Sequence, residues 1–378
     1  MKLSGKAYRA LSIGTNCALI VLTAILFPRL LVPGLYALYE SFSLLLSIVI
    51  IITVMGCLSM LLRPLCSLAA AAVILPCAGF RAVQFRIPFF CFVRGSDGKF
   101  HRAPSQRFRP FSYAYMPPET FSHPAAAVLL TSNRLLADAV LLPFSLIAAI
   151  LLRCYPIPLA CCIFLLHDFL VSFISALIPM RVDGVPNYAE IARELSCEPA
   201  LQTIYWNCRR TVALQVMGCS NMEMPDEWFA LPNPELLSHR LAFLQAMRCA
   251  GRMIAMRQYD ACAGLLDGLL CLPEKAEDLI PDALLLRLHC ALMRGEDPEN
   301  YLSPGLDQYM ETFKRLDEVL LTRYALALLY DHDDTAAAQL RTAICREMDR
   351  SPAPQNIEPY LSAIDERSRL LRETAPLT

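Results

Sequence analysis

Long apolar runs dominate the first half of the chain, and charged residues return at ordinary frequency after Arg181. A helix that spans a bilayer needs about 20 apolar residues, because the hydrocarbon core is about 30 Å thick and each residue rises about 1.5 Å. The stretches of sufficient length lie at about 11–31, 41–62, 125–152 and 157–179. The second run continues past Pro64 to Phe80, as one long kinked helix or as a span and a half-helix. The pattern predicts a mainly α-helical membrane domain of about four spans at 1–183.

Basic residues flank these spans unevenly. Three precede the first span within residues 2–9, and seven lie in the connection between 81 and 109. The other two connections carry only Arg29 and Arg153. Because loops rich in lysine and arginine remain in the cytoplasm, we expect a multi-pass protein of the cell membrane. Both termini and the C-terminal domain then face the cytoplasm.

The connection at about 82–110 is typical of a small cytoplasmic β-hairpin. Apolar and aromatic residues fill two arms, and Gly95-Ser96-Asp97-Gly98 supplies residues that tolerate a positive φ in the turn. Residues 184–236 are interpreted as a linker with helical segments that connects the membrane domain to the C-terminal domain.

Residues 237–378 show apolar positions at three- and four-residue spacing, which predicts a helical domain. The predicted helices lie near 238–256, 259–271, 281–294, 316–331, 334–349 and 357–373. Three helix-to-turn junctions, at Met256, Met293 and Leu329, are 37 and 36 residues apart. Tetratricopeptide repeats recur at about 34 residues. The domain is therefore either an array of such repeats or a plain helical bundle.

Composition agrees with a membrane protein, since 56% of the residues are hydrophobic and 18% are charged. The net charge of −1 gives no argument for a nucleic-acid partner. The 16 cysteines are spread through both halves without paired spacing, which favours their use as small hydrophobic residues in a reducing compartment.

One segment carries a resemblance to a known family. Residues 63–87 combine an apolar helix, the pair Gly79-Phe80 and a basic strand that contains Phe85-Arg86-Ile87. In this outline the chain resembles the bacterial site-2-protease-like family of intramembrane zinc metalloproteases. Short similar elements follow in the same order, Pro117-Pro118-Glu119 and 224–229. The resemblance covers about 48–229 and implies the three-helix core of that family, with an added N-terminal span.

The residues that bind zinc in that family are different here. Its H-E-x-x-H motif begins eighteen residues before the equivalent of Phe85, which places Ser67, Leu68 and Ala71 at the first His, the Glu and the second His. The third ligand, an Asp in the family, corresponds to Tyr188. Serine, leucine and alanine cannot replace two imidazoles and a general base. The resemblance therefore implies an inactive member with no catalytic residue and no cofactor.

Four other residues are weak candidates for a relocated zinc site: His167 and Asp168 in the fourth span, Asp138 in the third, and Asp183 after the last. The structural interpretation is that His167 and Asp168 face the interior of the bundle and form hydrogen bonds across it. Asp138 would then pair with Arg134, one helical turn away. Similarly, 331–334 (Asp-His-Asp-Asp) is interpreted as the start of a helix rather than a metal cluster.

Three functions remain open on the sequence. The first is a catalytically inactive membrane protein that binds a membrane or cytoplasmic protein partner through its C-terminal helical domain. The second is an active intramembrane protease with relocated ligands, the one case in which zinc is expected. The third is a small-molecule transporter or channel. The expected partners are the lipid bilayer and another protein, and no nucleic acid.

Overall fold

The structure is a computed structural model that describes residues 44–87, 89–95, 97–103, 112–182, 185–273, 276–351 and 354–374. The predicted first span and the candidate Asp183 lie outside the described residues. Contacts divide the chain into two compact units. The membrane unit comprises 1–88, 109–113 and 117–199, and the helical unit comprises 89–108, 114–116 and 200–378.

The described helices of the membrane unit are α1 (Leu44–Cys77), α2 (Pro124–Leu130), α3 (Asn133–Leu151), α4 (Pro156–Leu177) and α5 (Tyr188–Cys197). Within them, Thr53–Cys77, Asn133–Leu151 and Ile157–Leu177 are long and apolar enough to cross a membrane. The helices α1, α3 and α4 pack against one another. The contacts of α1 with α3 and α4 bring together residues that are far apart in the sequence.

The structure selects one of the two alternatives for the second predicted span and divides the third. The second is one continuous helix, because α1 runs through Pro64 without interruption. The third is divided at Thr131 and Ser132 into α2 and α3. The Ser132 hydroxyl accepts a hydrogen bond from the Leu135 amide at 3.3 Å, which begins a new helix there.

The pair Gly79-Phe80 ends α1. Gly79 has a φ of +83°, a left-handed conformation that glycine adopts without steric cost. The Phe80 amide donates to the Leu75 carbonyl at 2.9 Å, and the Gly79 amide donates to the Pro76 carbonyl at 3.0 Å. The carbonyls of Leu75 and Pro76 near the end of the helix are thus satisfied, and the chain continues directly into a strand.

The strands β1 (Arg81–Ile87), β2 (Phe90–Arg94), β3 (Phe100–Ala103) and β4 (Ser112–Met116) form a sheet in the order β3-β2-β1-β4. Antiparallel pairing aligns Arg94 with Phe100 in β2 and β3, and the Gly95 amide donates to the Lys99 carbonyl at 2.8 Å. The predicted hairpin is confirmed for β2 and β3, but it belongs to a four-stranded sheet that the prediction did not include. The short strands β5 (Arg181–Val182) and β6 (Val185–Pro186) form a second pair.

The helical unit contains α6 (Pro199–Val216), α7 (Arg240–Ala255), α8 (Tyr259–Leu270), α9 (Ile280–Arg294), α10 (Pro304–Thr312), α11 (Asp317–Leu329), α12 (Asp334–Met348) and α13 (Glu358–Thr374). The six predicted helices coincide with α7, α8, α9, α11, α12 and α13. The prediction missed α10, because its Pro304-Gly305 start is typical of a loop. Ser303 caps this helix by accepting from the Leu306 amide at 3.2 Å, and proline is favoured in a first helical turn.

Two apolar cores hold the helical unit together. One centres on Phe243 and Leu266, and the other on Leu288, Val319 and Ile364, all of which are fully buried. The helices pack mainly against near neighbours in the chain: α7 with α8, α8 with α9, α9 with α11, and α11 with α12. A repeat array and a bundle both allow this packing, so the repeat assignment stays a prediction.

Candidate functional site

The residues of this chain that correspond to the zinc motif of the site-2-protease-like family lie on one face of α1. Ser67 and Ala71 are one turn apart and share that face, and their exposed fractions are 4% and 3%. Leu68 is partly buried beside them. The structure therefore places the two aligned histidine positions together in the interior of the membrane unit, as small side chains.

One turn before Ser67, Arg63 lies between two aspartates. Its Nε is 3.0 Å from Oδ1 of Asp138 on α3, and its Nη2 is 3.0 Å from Oδ2 of Asp168 on α4. The same Nη2 donates to the Asp168 carbonyl at 3.2 Å. The guanidinium also lies over the Phe169 ring, 5.1 Å from its centroid. A planar guanidinium with separate donors suits such a two-sided arrangement.

Serine hydroxyls complete this network. Ser59 donates to Oδ2 of Asp168 at 2.7 Å. Ser172 donates to Asp138, which is fully buried, and accepts from Nε of Arg134 at 2.5 Å. The expected direct pair between Arg134 and Asp138 is therefore replaced by a bridge, because the hydroxyl on α4 lies between the two charged groups. We call Ser59, Arg63, Arg134, Asp138, Asp168 and Ser172 the polar cluster.

The polar cluster is balanced in charge, since it holds two arginines and two aspartates. Isolated charges inside a membrane are costly, and they persist where they pair with one another. Sequence reasoning found both aspartates and Arg134 but not Arg63. The signal was present, because an arginine inside an apolar run is itself a functional candidate.

A pocket of about 220 Å³ adjoins the polar cluster. Its walls come from α1, from β4 and from the start of α3, and they consist of Arg63, Pro64, Ser67, Leu68, Ser112, Tyr113, Asn133 and Arg134. The buried Ser67 hydroxyl has no hydrogen-bond partner within the described part of the chain. The aligned positions Ser67 and Leu68 are thus part of the wall of this pocket.

The other candidates lie elsewhere or have structural roles. His167 is partly buried on α4 next to Asp168. Tyr188 is the first residue of α5 and directly follows Asn187. The Asn187 side chain accepts a hydrogen bond from the Glu190 amide and donates one to the Ile178 carbonyl, both at 2.8 Å. The asparagine before the aligned third-ligand position therefore fixes a helix start.

No group of three histidine, cysteine, aspartate or glutamate side chains within the described ranges is arranged to hold a metal ion. Asp333, in the acidic run between α11 and α12, accepts hydrogen bonds from the amides of Thr335 at 3.0 Å and Ala336 at 2.9 Å. This contact confirms the interpretation of that run as a helix start.

The helical unit contains two further pockets, of about 300 and 340 Å³, which share Gln215, Asn221, Glu318 and Tyr360. We call these two pockets the helical groove. Leu244, Met247 and Leu285 supply apolar surface, while Asp282 and Glu318 bring carboxylates to it. The Tyr360 hydroxyl donates to the Gly251 carbonyl at 2.5 Å, and burial raises the pKa of this phenol.

Comparison with known proteins adds no identification. No family model matches the chain, and no curated protein or solved structure is similar to it. The functional argument therefore depends on the polar cluster, the adjoining pocket and the helical groove.

Proposed function

We propose that this chain is a multi-pass membrane protein that acts by binding rather than by catalysis. Its membrane core is related to the site-2-protease-like family but is inactive, and its helical unit binds a protein partner in the cytoplasm. The arrangement of Arg63 between Asp138 and Asp168 is the observation that carries this proposal.

The reason is electrostatic. A relocated zinc site would need carboxylates from the membrane helices, and Asp138 and Asp168 are the described acidic residues in α3 and α4. Both engage the Arg63 guanidinium at 3.0 Å. A divalent cation at these oxygens would have to displace a fixed positive charge and leave it unpaired in the membrane. The network supports a structural role for both carboxylates.

The helical groove supports the binding part of the proposal. It combines apolar side chains from α7 and α9 with the carboxylates of Asp282 and Glu318, whereas Arg248 is its one arginine. Grooves between helices commonly receive an amphipathic peptide whose apolar residues are anchored in pockets. The complementary partner is a segment with apolar anchors next to lysine or arginine.

Zinc binding by the purified full-length chain tests the first part. We expect no stoichiometric zinc in the wild type after equilibration with the metal. A variant that rebuilds the motif, with Ser67→His, Leu68→Glu, Ala71→His and Tyr188→Asp, serves as the positive control, because a related core should then bind zinc. Stoichiometric zinc in the wild type that is lost on His167→Ala would favour the active protease instead.

Crosslinking in membranes tests the second part. The partner captured by the wild type should be reduced severalfold by Glu318→Lys, since this change reverses a charge at the groove. The matched control is Glu373→Lys near the end of α13, an exposed residue outside both pockets. Equal capture by both variants would contradict the assignment of the partner to the groove.

A further inference from the structure

The pocket beside the polar cluster has an uneven distribution of charge. Arg63 and Arg134 both line it, while Asp138 and Asp168 do not. The two carboxylates are directed instead to Arg63, Ser59 and Ser172. The negative charges are therefore used within the cluster, and the charged groups at the pocket wall are cationic.

Arg134 supplies unused donors. Its Nε donates to Ser172, and among the described residues no acceptor bonds either of its Nη groups. Arg63, in contrast, uses its Nε and Nη2 on the two aspartates. Of the two arginines, Arg134 is the one with a guanidinium edge to offer to a ligand.

The start of α3 adds a second positive contribution. Its cap, Ser132, accepts from the Leu135 amide, so the amides of Asn133 and Arg134 are left as first-turn donors without an intrahelical acceptor. Both residues line the pocket. The N-terminal end of a helix of 19 residues carries a partial positive charge that favours anions.

Ser67 provides an independent indication of a ligand. Its hydroxyl is 4% exposed, lines the pocket and has no hydrogen-bond partner in the described part of the chain. A buried hydroxyl without a partner is unfavourable, and it is rare in folded proteins. An acceptor oxygen placed in the pocket would satisfy it.

We propose that this pocket binds the phosphate group of an anionic membrane lipid. A phosphate offers several acceptor oxygens to a guanidinium, to helix-start amides and to a hydroxyl at the same time. Asn133 begins a helix that is long and apolar enough to span a membrane, so the α3 side of the site lies at the end of that helix, where lipid headgroups are found. Pro64 and Leu68 provide apolar wall for the adjoining glycerol and acyl atoms. The site does not depend on whether the core is catalytic.

Thermal unfolding of the purified full-length protein in a neutral detergent tests this site. We expect short-chain phosphatidylglycerol to raise the unfolding midpoint by about 5 °C over phosphatidylcholine at equal concentration. Inorganic phosphate at the same concentration should leave the midpoint unchanged. A shift with inorganic phosphate as large as that with phosphatidylglycerol would overturn the assignment to a lipid.

Three variants separate the pocket from general attraction to anionic lipid. Arg134→Gln should bind phosphatidylglycerol about tenfold more weakly, whereas Arg153→Gln, two residues beyond the opposite end of α3, should bind like the wild type. Ser67→Ala should raise the midpoint without lipid, because a buried orphan hydroxyl is removed, and should reduce the lipid-dependent rise. Equal losses in both arginine variants, or an unreduced lipid response in Ser67→Ala, would overturn the proposal.

Discussion

Arg63 and Asp138 are 75 residues apart in the sequence and form an ion pair with a distance of 3.0 Å between Nε and Oδ1. The pair joins α1 to α3, and Asp168 extends it to α4. One guanidinium thus links the three described helices that are long and apolar enough to cross a membrane. The cluster around it gives the membrane unit a fixed register, since sliding of any helix by one residue would separate the charges.

Removal of the Arg63 guanidinium should therefore destabilise the membrane unit strongly. Arg63→Gln leaves the fully buried Asp138 and the neighbouring Asp168 without their cation, and breaking a buried pair in this way costs about 3–5 kcal/mol. Thermal unfolding in detergent measures the loss. Addition of Asp138→Asn to Arg63→Gln should recover part of it, because one orphan charge is removed. A loss no larger than that of Arg153→Gln would contradict a structural role for the cluster.

The stability of the helical unit should fall in mild acid because of His289. This residue is buried on α9 beside Tyr360, and burial lowers its pKa to about 4, against about 6.5 in an unfolded chain. The unfolded state then binds the proton first as the pH drops. The contribution of His289 is present above pH 6.5 and is lost progressively toward pH 4, with about 2 kcal/mol less stability at pH 5 than at pH 7.

Tryptophan fluorescence reports this unfolding selectively, because Trp206 and Trp228 are the two tryptophans of the chain and both belong to the helical unit. Urea unfolding should show a much smaller pH dependence in His289→Leu than in the wild type. His332→Asn, at an exposed turn with a φ of 56° that asparagine tolerates, is the control. An unchanged pH profile in His289→Leu would refute the assignment.

The cap of α12 should contribute measurably to stability. Asp333→Ala removes the oxygen that accepts from the Thr335 and Ala336 amides, a loss of about 1 kcal/mol for a cap of this type. Asp331→Ala, two residues earlier, should cost much less. Neither effect should change on addition of zinc or a chelator, and urea unfolding with added zinc and with added chelator checks both points. A zinc-dependent difference in stability between the variants and the wild type would favour a metal site at residues 331–334.

Replacement of Arg287 by lysine should not be conservative. Its Nε is 2.7 Å from Asp267 and its Nη1 is 2.9 Å from Glu296, while the guanidinium lies over the Tyr301 ring at 4.3 Å. An ammonium group cannot reproduce this geometry, so Arg287→Lys should lose about 1–3 kcal/mol. Arg341→Lys, whose arginine is exposed and pairs with the partly buried Asp365, should be nearly neutral. Similar urea midpoints for both variants would contradict the prediction.

Local order in this chain could be predicted from the sequence. Apolar run length located α1, α3 and α4, and helical spacing located six of the helices of the C-terminal domain. Turn-forming residues located the hairpin around Gly95. These features depend on neighbours within a few residues, so a single sequence displays them directly.

Contacts between distant residues were not predictable in the same way. The spacing of Arg134 and Asp138 predicted a direct pair within one helix, but Ser172 on another helix lies between them. Nothing in the sequence pattern indicated that Arg63 approaches residues 75 and 105 positions later. Such contacts depend on which faces of the helices meet, and this is decided by packing rather than by local spacing.

The sequence separation of the Arg63 contacts has a consequence for biosynthesis. Synthesis proceeds at about 5–20 residues per second, so Arg63 is added to the chain roughly 4–15 s before Asp138. During this time the Arg63 guanidinium on α1 does not yet have its acidic partners. An unpaired guanidinium is costly inside a bilayer, so the side chain is more stable at a watery boundary until α3 and α4 follow. The order of the residues along the chain sets a delay in the assembly of the membrane unit.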